Sequence, residues 1–159
     1  MVHVSDLYDQ DYPQLVAFVT NEMTKIPQKT KVYNAFLKYG EYDHFWEGNF
    51  LFKSWSDPEI QIEDLNTHSK NGDYIFAKYK TVFPRYIYVD VKWAKRFEND
   101  SKVPVMMNNA KRLMEACILH EMCHRGDWRD GVEQEKEPGE EFEIAAYGAI
   151  QGSYWIGPI

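Results

Sequence analysis

Residues 105–126 read VMMNNAKRLMEACILHEMCHRG and hold the pattern that decides the fold. His120 and His124 stand four residues apart, with Glu121 directly after the first, which matches H-E-x-x-H. In a helix, two side chains at this spacing lie one turn apart on one face, so both imidazoles can bind the same metal ion. Glu121 then leans over the open position of that metal, where it can take a proton from bound water.

The neighbouring residues predict that the motif lies on a helix. Four of them recur at the helical spacing i, i+3, i+4, i+7: Leu113, Ala116, Cys117 and His120. Pro104 suits the first helical position, with Ser101 upstream as a candidate cap. Gly126 is expected to end the helix two residues after His124.

The third metal ligand should lie downstream, because a catalytic zinc usually takes three protein ligands and leaves one position for water. In the longer motif H-E-x-x-H-x-x-G-x-x-H, the last ligand follows the second histidine by six residues, and Asp130 has this position relative to His124. The glycine of that motif, however, would fall at residue 127, whereas this chain has its glycine at residue 126. Glu143 lies on an otherwise apolar helical face, where a carboxylate is costly unless it is paired or binds metal. Glu140 is a further candidate on the same helix. The apolar surroundings of Glu143 favour it as the ligand and leave Asp130 open.

Several other side chains near the motif have predicted roles. Tyr147, one turn beyond Glu143, is expected either to stabilise the oxyanion formed when water attacks a carbonyl or to pack in the core. Asp127 or Asp130 could hold the far nitrogen of a ligand histidine. Cys123 is expected to pack rather than to bind metal.

The two cysteines, Cys117 and Cys123, are expected to be free thiols. Six residues on one helix correspond to an axial rise of about 9 Å. That rise exceeds the Cα separation that a disulfide tolerates.

Composition excludes some classes of protein. A net charge of −7 and a pI near 5.2 argue against a nucleic-acid-binding surface. No stretch approaches the roughly 20 apolar residues that span a bilayer. The first residues lack the basic and apolar regions of a signal peptide. If the protein is exported, we expect a signal-independent route or a larger parent protein.

The rest of the chain predicts one α+β domain over residues 1–159. Helices are expected over residues 11–23, 30–39, 91–97 and 140–152. Strands are expected over residues 59–65, 74–79 and 85–90. Residues 132–137 are charged and expected to be solvated. The aromatic segment 41–57 could line a cleft, but a satellite core is favoured; His44 within it is a ligand candidate by residue type alone.

Residues 118–131, ILHEMCHRGDWRDG, followed by residues 139–148, GEEFEIAAYG, resemble the zincin metallopeptidase toxin domains of bacteria. Those domains occur at the C-termini of polymorphic toxins and of type VI secretion spike proteins. The resemblance covers the last third of the chain. It implies a zincin-like fold, a small mixed sheet packed on helices with the motif helix at the centre. It implies zinc held by His120, His124 and Glu143, with Glu121 as the base. It also implies delivery into a competing cell, for example into its periplasm, and a cognate immunity protein.

We therefore predict a zinc-dependent metallopeptidase that hydrolyses peptide bonds in a protein or peptide. One alternative is a metallo-amidase or endopeptidase that uses the same site on peptidoglycan. Another is a non-catalytic interaction domain, in which Cys123 or His44 supplies a fourth ligand and closes a structural zinc site. Three ligands plus water would favour catalysis, and four would favour structure.

Overall fold

A computed structural model describes residues 2–42, 45–53, 58–66, 74–131 and 134–151. Within these ranges the strands are β1 (His3–Val4), β2 (Glu59–Glu63), β3 (Ala77–Tyr79) and β4 (Tyr86–Asp90). The α-helices are α1 (Pro13–Asn21), α2 (Thr30–Tyr39), α3 (Phe45–Lys53), α4 (Val91–Asp100), α5 (Pro104–Asp130) and α6 (Pro138–Tyr147). Two 3-10 helices cover Asp6–Tyr8 and Met23–Gln28.

The four strands form one mixed sheet in the order β1-β2-β4-β3. β1 and β2 are parallel, as are β2 and β4, where Ile60 pairs with Ile87. β3 is antiparallel to β4, with Tyr79 opposite Ile87. β3 is therefore an edge strand of the described sheet, and it is one of the two strands that contact α5.

The 27-residue helix α5 packs against both the sheet and the other helices. It contacts α2, α4 and α6 on the helical side and β3 and β4 on the sheet side. Its fully buried side chains join one core cluster with those of β2, β4 and α4; among them are Met114, Ile118, Leu119 and Met122. Among the described residues, no helix is both long and apolar enough to cross a membrane. The predicted α+β class is confirmed, and the motif helix is central to the packing.

Most predicted elements are found within a few residues of their expected ends. α2 has the predicted bounds, and α1, β2, β3 and β4 lie inside the predicted ranges. Asp90 caps α4, because its side chain accepts hydrogen bonds from the backbone N–H groups of Lys92 at 3.0 Å and Trp93 at 3.2 Å. The last helix was predicted over residues 140–152, but α6 covers Pro138–Tyr147, because Gly148 adopts the left-handed conformation with φ of 90° and ends it.

The motif helix begins at Pro104, as predicted, but its predicted cap and its predicted end were both wrong. The residue that precedes the first turn is Val103, whereas Ser101 follows the end of α4. The helix continues through Gly126 to Asp130 and ends at Gly131, whose φ is 74°. A Cβ at residue 126 would overlap the carbonyl group of Gly40. The glycine therefore serves the close approach of α5 to the end of α2, not helix termination.

The described residues of the aromatic segment 41–57 contribute to the main core and not to a satellite. Residues 45–53 form α3, which the sequence did not predict, and Phe52 is fully buried. The Tyr42 hydroxyl donates a hydrogen bond to the backbone carbonyl of Met122 at 2.8 Å, which ties this segment to α5. His44 lies outside the described residues.

Both cysteines are free thiols on α5, as predicted. Cys123 is fully buried in the core and Cys117 is partly buried. Burial raises the pKa of both thiols, and this disfavours the thiolate form that binds metal.

Candidate metal centre

Helix α5 brings the two motif histidines together on one face. The rings of His120 and His124 have centroids 5.0 Å apart, and their Nε2 atoms are 3.3 Å apart. Both side chains are partly buried, at 20% and 32% exposure, so they are accessible from one side only. The helix thus presents two imidazole nitrogens at a common point, as the i, i+4 spacing predicts.

The N-terminus of α6 supplies a third donor, Glu137. Its Oε1 lies 2.6 Å from Nε2 of His124 and 3.6 Å from Nε2 of His120. Glu137 is also the N-cap residue of α6, and its carboxylate accepts hydrogen bonds from the backbone N–H groups of Gly139 and Glu140. The helix end therefore holds this carboxylate in place with donors that cannot move independently.

Gly139 allows α6 to approach the histidines so closely. A Cβ at this position would overlap the imidazole ring of His120. The backbone of the first turn of α6 thus lies directly against the ring, which fixes the distance between Glu137 and the two Nε2 atoms.

The donor atoms can be compared with the geometry of a tetrahedral zinc ion. Bonds of roughly 2.0–2.1 Å in tetrahedral geometry place neighbouring donors about 3.3 Å apart. Two of the three separations, 3.3 and 3.6 Å, match that value. The third, 2.6 Å, is a hydrogen bond from His124 to Glu137. Two imidazoles and one carboxylate form a donor set typical of catalytic zinc, with a fourth position left for water or substrate.

Glu143, the third ligand predicted from the sequence, lies on the other side of His120. The His120 Nδ1–H group donates to Oε1 of Glu143 at 2.7 Å, whereas Glu137 approaches Nε2. Glu143 is 5% exposed. A carboxylate on Nδ1 fixes the tautomer and leaves the Nε2 lone pair for a metal. The geometry therefore favours Glu137 as ligand and Glu143 as the group that orients His120.

The electrostatics of the cluster reflect its mixture of acids and imidazoles. Burial lowers the pKa of His120, but the hydrogen bond to Glu143 and the charges of Glu121 and Glu137 outweigh it and raise the pKa to about 9. Burial raises the pKa of Glu137, but the hydrogen bond from His124, the charge of His120 and the Glu140 amide outweigh it and lower the pKa to about 2. The site carries enough negative charge to attract a cation.

Glu121 lies between the sheet edge and a cavity. Its Oε2 accepts a hydrogen bond from the backbone N–H of Tyr79 in β3 at 2.6 Å. The carboxylate and His124 line a cavity of about 610 Å³, whose wall also includes Ile75, Tyr79 and the half-exposed Trp128. The predicted general base therefore faces a space large enough for a substrate side chain, next to the Nε2 cluster.

Of the other predicted site residues, Asp127 lines the cavity that Glu121 faces, whereas Tyr147 does not. The Tyr147 hydroxyl donates to Glu115 at 3.1 Å, and the tyrosine lines different cavities from the one that Glu121 faces. Asp127 accepts a hydrogen bond from the backbone N–H of Gln134 at 3.1 Å. Asp130 belongs to the last turn of α5, and Glu140 is exposed.

Glu137 is the site residue that the sequence did not reveal. It falls in residues 132–137, which were expected to be solvated, whereas the structure places it half-buried against both histidines. One feature of the sequence could have indicated Glu137 as a site residue. The tripeptide Glu137-Pro138-Gly139 combines an acidic residue, a proline suited to the first helical position and a glycine that permits close packing. The partner of that packing depends on the fold.

Comparison with known proteins gives one finding. A family model described as metallopeptidase toxin 3 matches residues 8–148. The match includes the N-terminal two thirds of the chain, which the sequence motifs alone could not relate to any family. No match was found among curated proteins or among solved structures.

Proposed function

The chain belongs to the metallopeptidase toxin 3 family. We therefore propose that it is a zinc-dependent peptidase whose zinc ion is bound by His120, His124 and Glu137. Glu121 is its general base. The observation that carries this proposal is the convergence of three donor atoms beside a cavity that Glu121 also lines. Among the described residues this metal-binding cluster has three members, which favours a catalytic centre over a closed structural site.

Zinc, when bound, would lower the pKa of a bound water molecule to about 7 and would act as a Lewis acid on the scissile carbonyl. The protein's own residues then move the protons. The Tyr79 amide holds Oε2 of Glu121, which leaves Oε1 to accept a proton from the attacking water and to pass it to the leaving amine. Glu143 retains the proton on Nδ1 of His120 and thereby keeps Nε2 directed at the metal.

The edge strand β3 supports a peptide substrate. Its partner β4 occupies one side, and the described residues provide no strand on the other. An extended peptide can add to such an edge through main-chain hydrogen bonds. The N–H group of Tyr79 in this strand already bonds to Glu121, so a peptide aligned on the other main-chain groups of β3 would lie beside the base. The adjoining cavity would receive one of its side chains.

The toxin family suggests delivery into target cells. We propose, from the resemblance described above, that delivery follows a signal-independent route of the type VI kind. We also propose that a cognate immunity protein protects the producing cell. Growth of a bacterium that expresses the chain, with and without genes neighbouring its own, would test both the toxicity and the protection.

The central experiment combines metal analysis with a change of the base. The purified protein should carry about one zinc ion that a chelator removes. Glu121→Gln is nearly isosteric and removes the base but no ligand, so peptide hydrolysis should fall by about 10²–10⁴-fold while zinc content and melting temperature persist. Cleavage of a proteome-derived peptide mixture, read by mass spectrometry, provides the assay.

A matched control is Glu140→Gln, which makes the same chemical change at an exposed position of α6. It should leave both zinc and activity unchanged. A fully active Glu121→Gln protein would contradict the role of the base, and a protein that binds no zinc after supplementation would contradict the proposal as a whole.

A further inference from the structure

The short segment after α6 closes over Glu143. Gly148 turns the chain with φ of 90°, and Gln151 lies 9% exposed beside the helix that it has just left. The backbone N–H of Gln151 donates a hydrogen bond to Oε2 of Glu143. The Gln151 side chain donates to the Ala149 carbonyl at 2.6 Å, which keeps the segment folded on itself. The main chain of this segment, not a side chain, makes the contact with Glu143.

Both oxygens of the Glu143 carboxylate therefore have a partner. Oε1 accepts from Nδ1 of His120 at 2.7 Å, and Oε2 accepts from Gln151. A carboxylate is planar, so a donor on one oxygen determines where the other oxygen points. A charge-assisted hydrogen bond from a backbone amide is a strong restraint of this kind. Without it, a buried carboxylate oxygen would have no donor and the group would gain by rotating toward water.

We propose that the backbone N–H of Gln151 is a positioning group of the metal centre. It fixes the Glu143 carboxylate, which fixes the ring and the tautomer of His120. The inference rests on the proposed function, because it assumes that the metal binds at Nε2. Gln151 lies beyond residues 8–148, so the segment that follows the family-matched region completes the metal site.

The decisive comparison is Gln151→Pro against Gln151→Ala. Proline removes the N–H, whereas alanine keeps it and removes only the side chain. We expect Gln151→Pro to bind zinc about 10-fold more weakly, as is typical for loss of a group that orients a ligand. Gln151→Ala should stay within about twofold of wild type. Competition with a chromogenic chelator measures both. The imidazole ¹⁵N shifts of His120 should also show loss of the single Nδ1–H tautomer in Gln151→Pro alone.

A double-mutant cycle separates positioning from general damage. In a Glu143→Ala background the amide has no carboxylate to hold, so Gln151→Pro should cost no further zinc affinity. If Gln151→Pro fails to fold, as judged by melting in excess chelator, an amide-to-ester change at residue 151 removes the same N–H and preserves the chain geometry.

The outcomes are distinct. Wild-type protein that binds no zinc contradicts the proposed function. Wild-type protein that binds zinc, with a Gln151→Pro or ester variant that binds it equally well, contradicts this inference and leaves the proposed function standing. Equal losses in Gln151→Pro and Gln151→Ala would also overturn it, because the side chain would then be responsible.

Discussion

Replacing Glu137 by alanine should cost this protein far more zinc affinity than replacing Glu143 by alanine. Oε1 of Glu137 is 2.6 and 3.6 Å from the two Nε2 atoms, so its loss reduces three donors to two. Glu143 contacts Nδ1 of His120 at 2.7 Å and acts through that ring. Loss of an outer contact of this kind typically weakens metal binding by about 10–100-fold. We expect more than about 1,000-fold for Glu137→Ala, or about 4 kcal/mol.

Glu137 also caps α6, and this second role needs its own control. Loss of an N-cap costs about 0.5–2 kcal/mol of stability. Glu137→Gln keeps one oxygen, which can accept from one of the two capping amides, Gly139 or Glu140, and it removes the anionic donor. We therefore expect Glu137→Gln to melt closer to wild type than Glu137→Ala does in excess chelator and still to bind zinc poorly. If the loss of zinc affinity in Glu137→Ala and Glu137→Gln were proportional to the loss of melting temperature, the effect would be due to folding and not to the loss of a ligand.

Competition with a chromogenic chelator at fixed pH measures zinc affinity in all the variants. The reasoning is refuted if Glu137→Ala retains zinc within about tenfold of wild type while Glu143→Ala loses it. In that case Glu143 would be the third ligand, as the sequence predicted, and Glu137 would be a helix cap only.

Two further predictions concern stability. Gly→Ala inside a helix normally stabilises the fold by about 1 kcal/mol. Gly126→Ala should instead destabilise it by about 1–3 kcal/mol, because the new Cβ would overlap the Gly40 carbonyl, and urea unfolding measures this change. The pH dependence follows from two shifted groups. His120, with its pKa raised from 6.5 to about 9, stabilises the fold below pH 6.5 and loses that contribution as the pH rises through 9. Glu137, with its pKa lowered from 4.5 to about 2, stabilises the fold above pH 4.5 and loses that contribution as the pH falls toward 2. Chelator-treated protein should therefore melt highest between pH 4.5 and 6.5. A melting temperature that rose steadily to pH 9 would contradict the His120 assignment, and one that did not fall below pH 4.5 would contradict the Glu137 assignment.

The helices and strands that the sequence predicted are those whose cause is local. Apolar spacing in α1 and α2 and alternation in β4 act within a few residues, so the local sequence is enough to predict these elements. The elements it did not predict have other causes. β1 spans two residues and forms only because β2 lies beside it. Gly126 was predicted to end the motif helix, but its lack of a side chain instead allows the close approach of the Gly40 backbone.

The same division applies to the metal centre. Local sequence is enough to place His120, Glu121 and His124 on one face of a helix, because a four-residue spacing has a fixed geometric meaning there. How two carboxylates share one imidazole depends instead on the three-dimensional packing. Glu137 and Glu143 lie six residues apart, and each could reach the ring of His120. The docking of α6, with Gly139 against that ring, places one at Nε2 and the other at Nδ1. That choice depends on packing between distant segments, which no local spacing encodes.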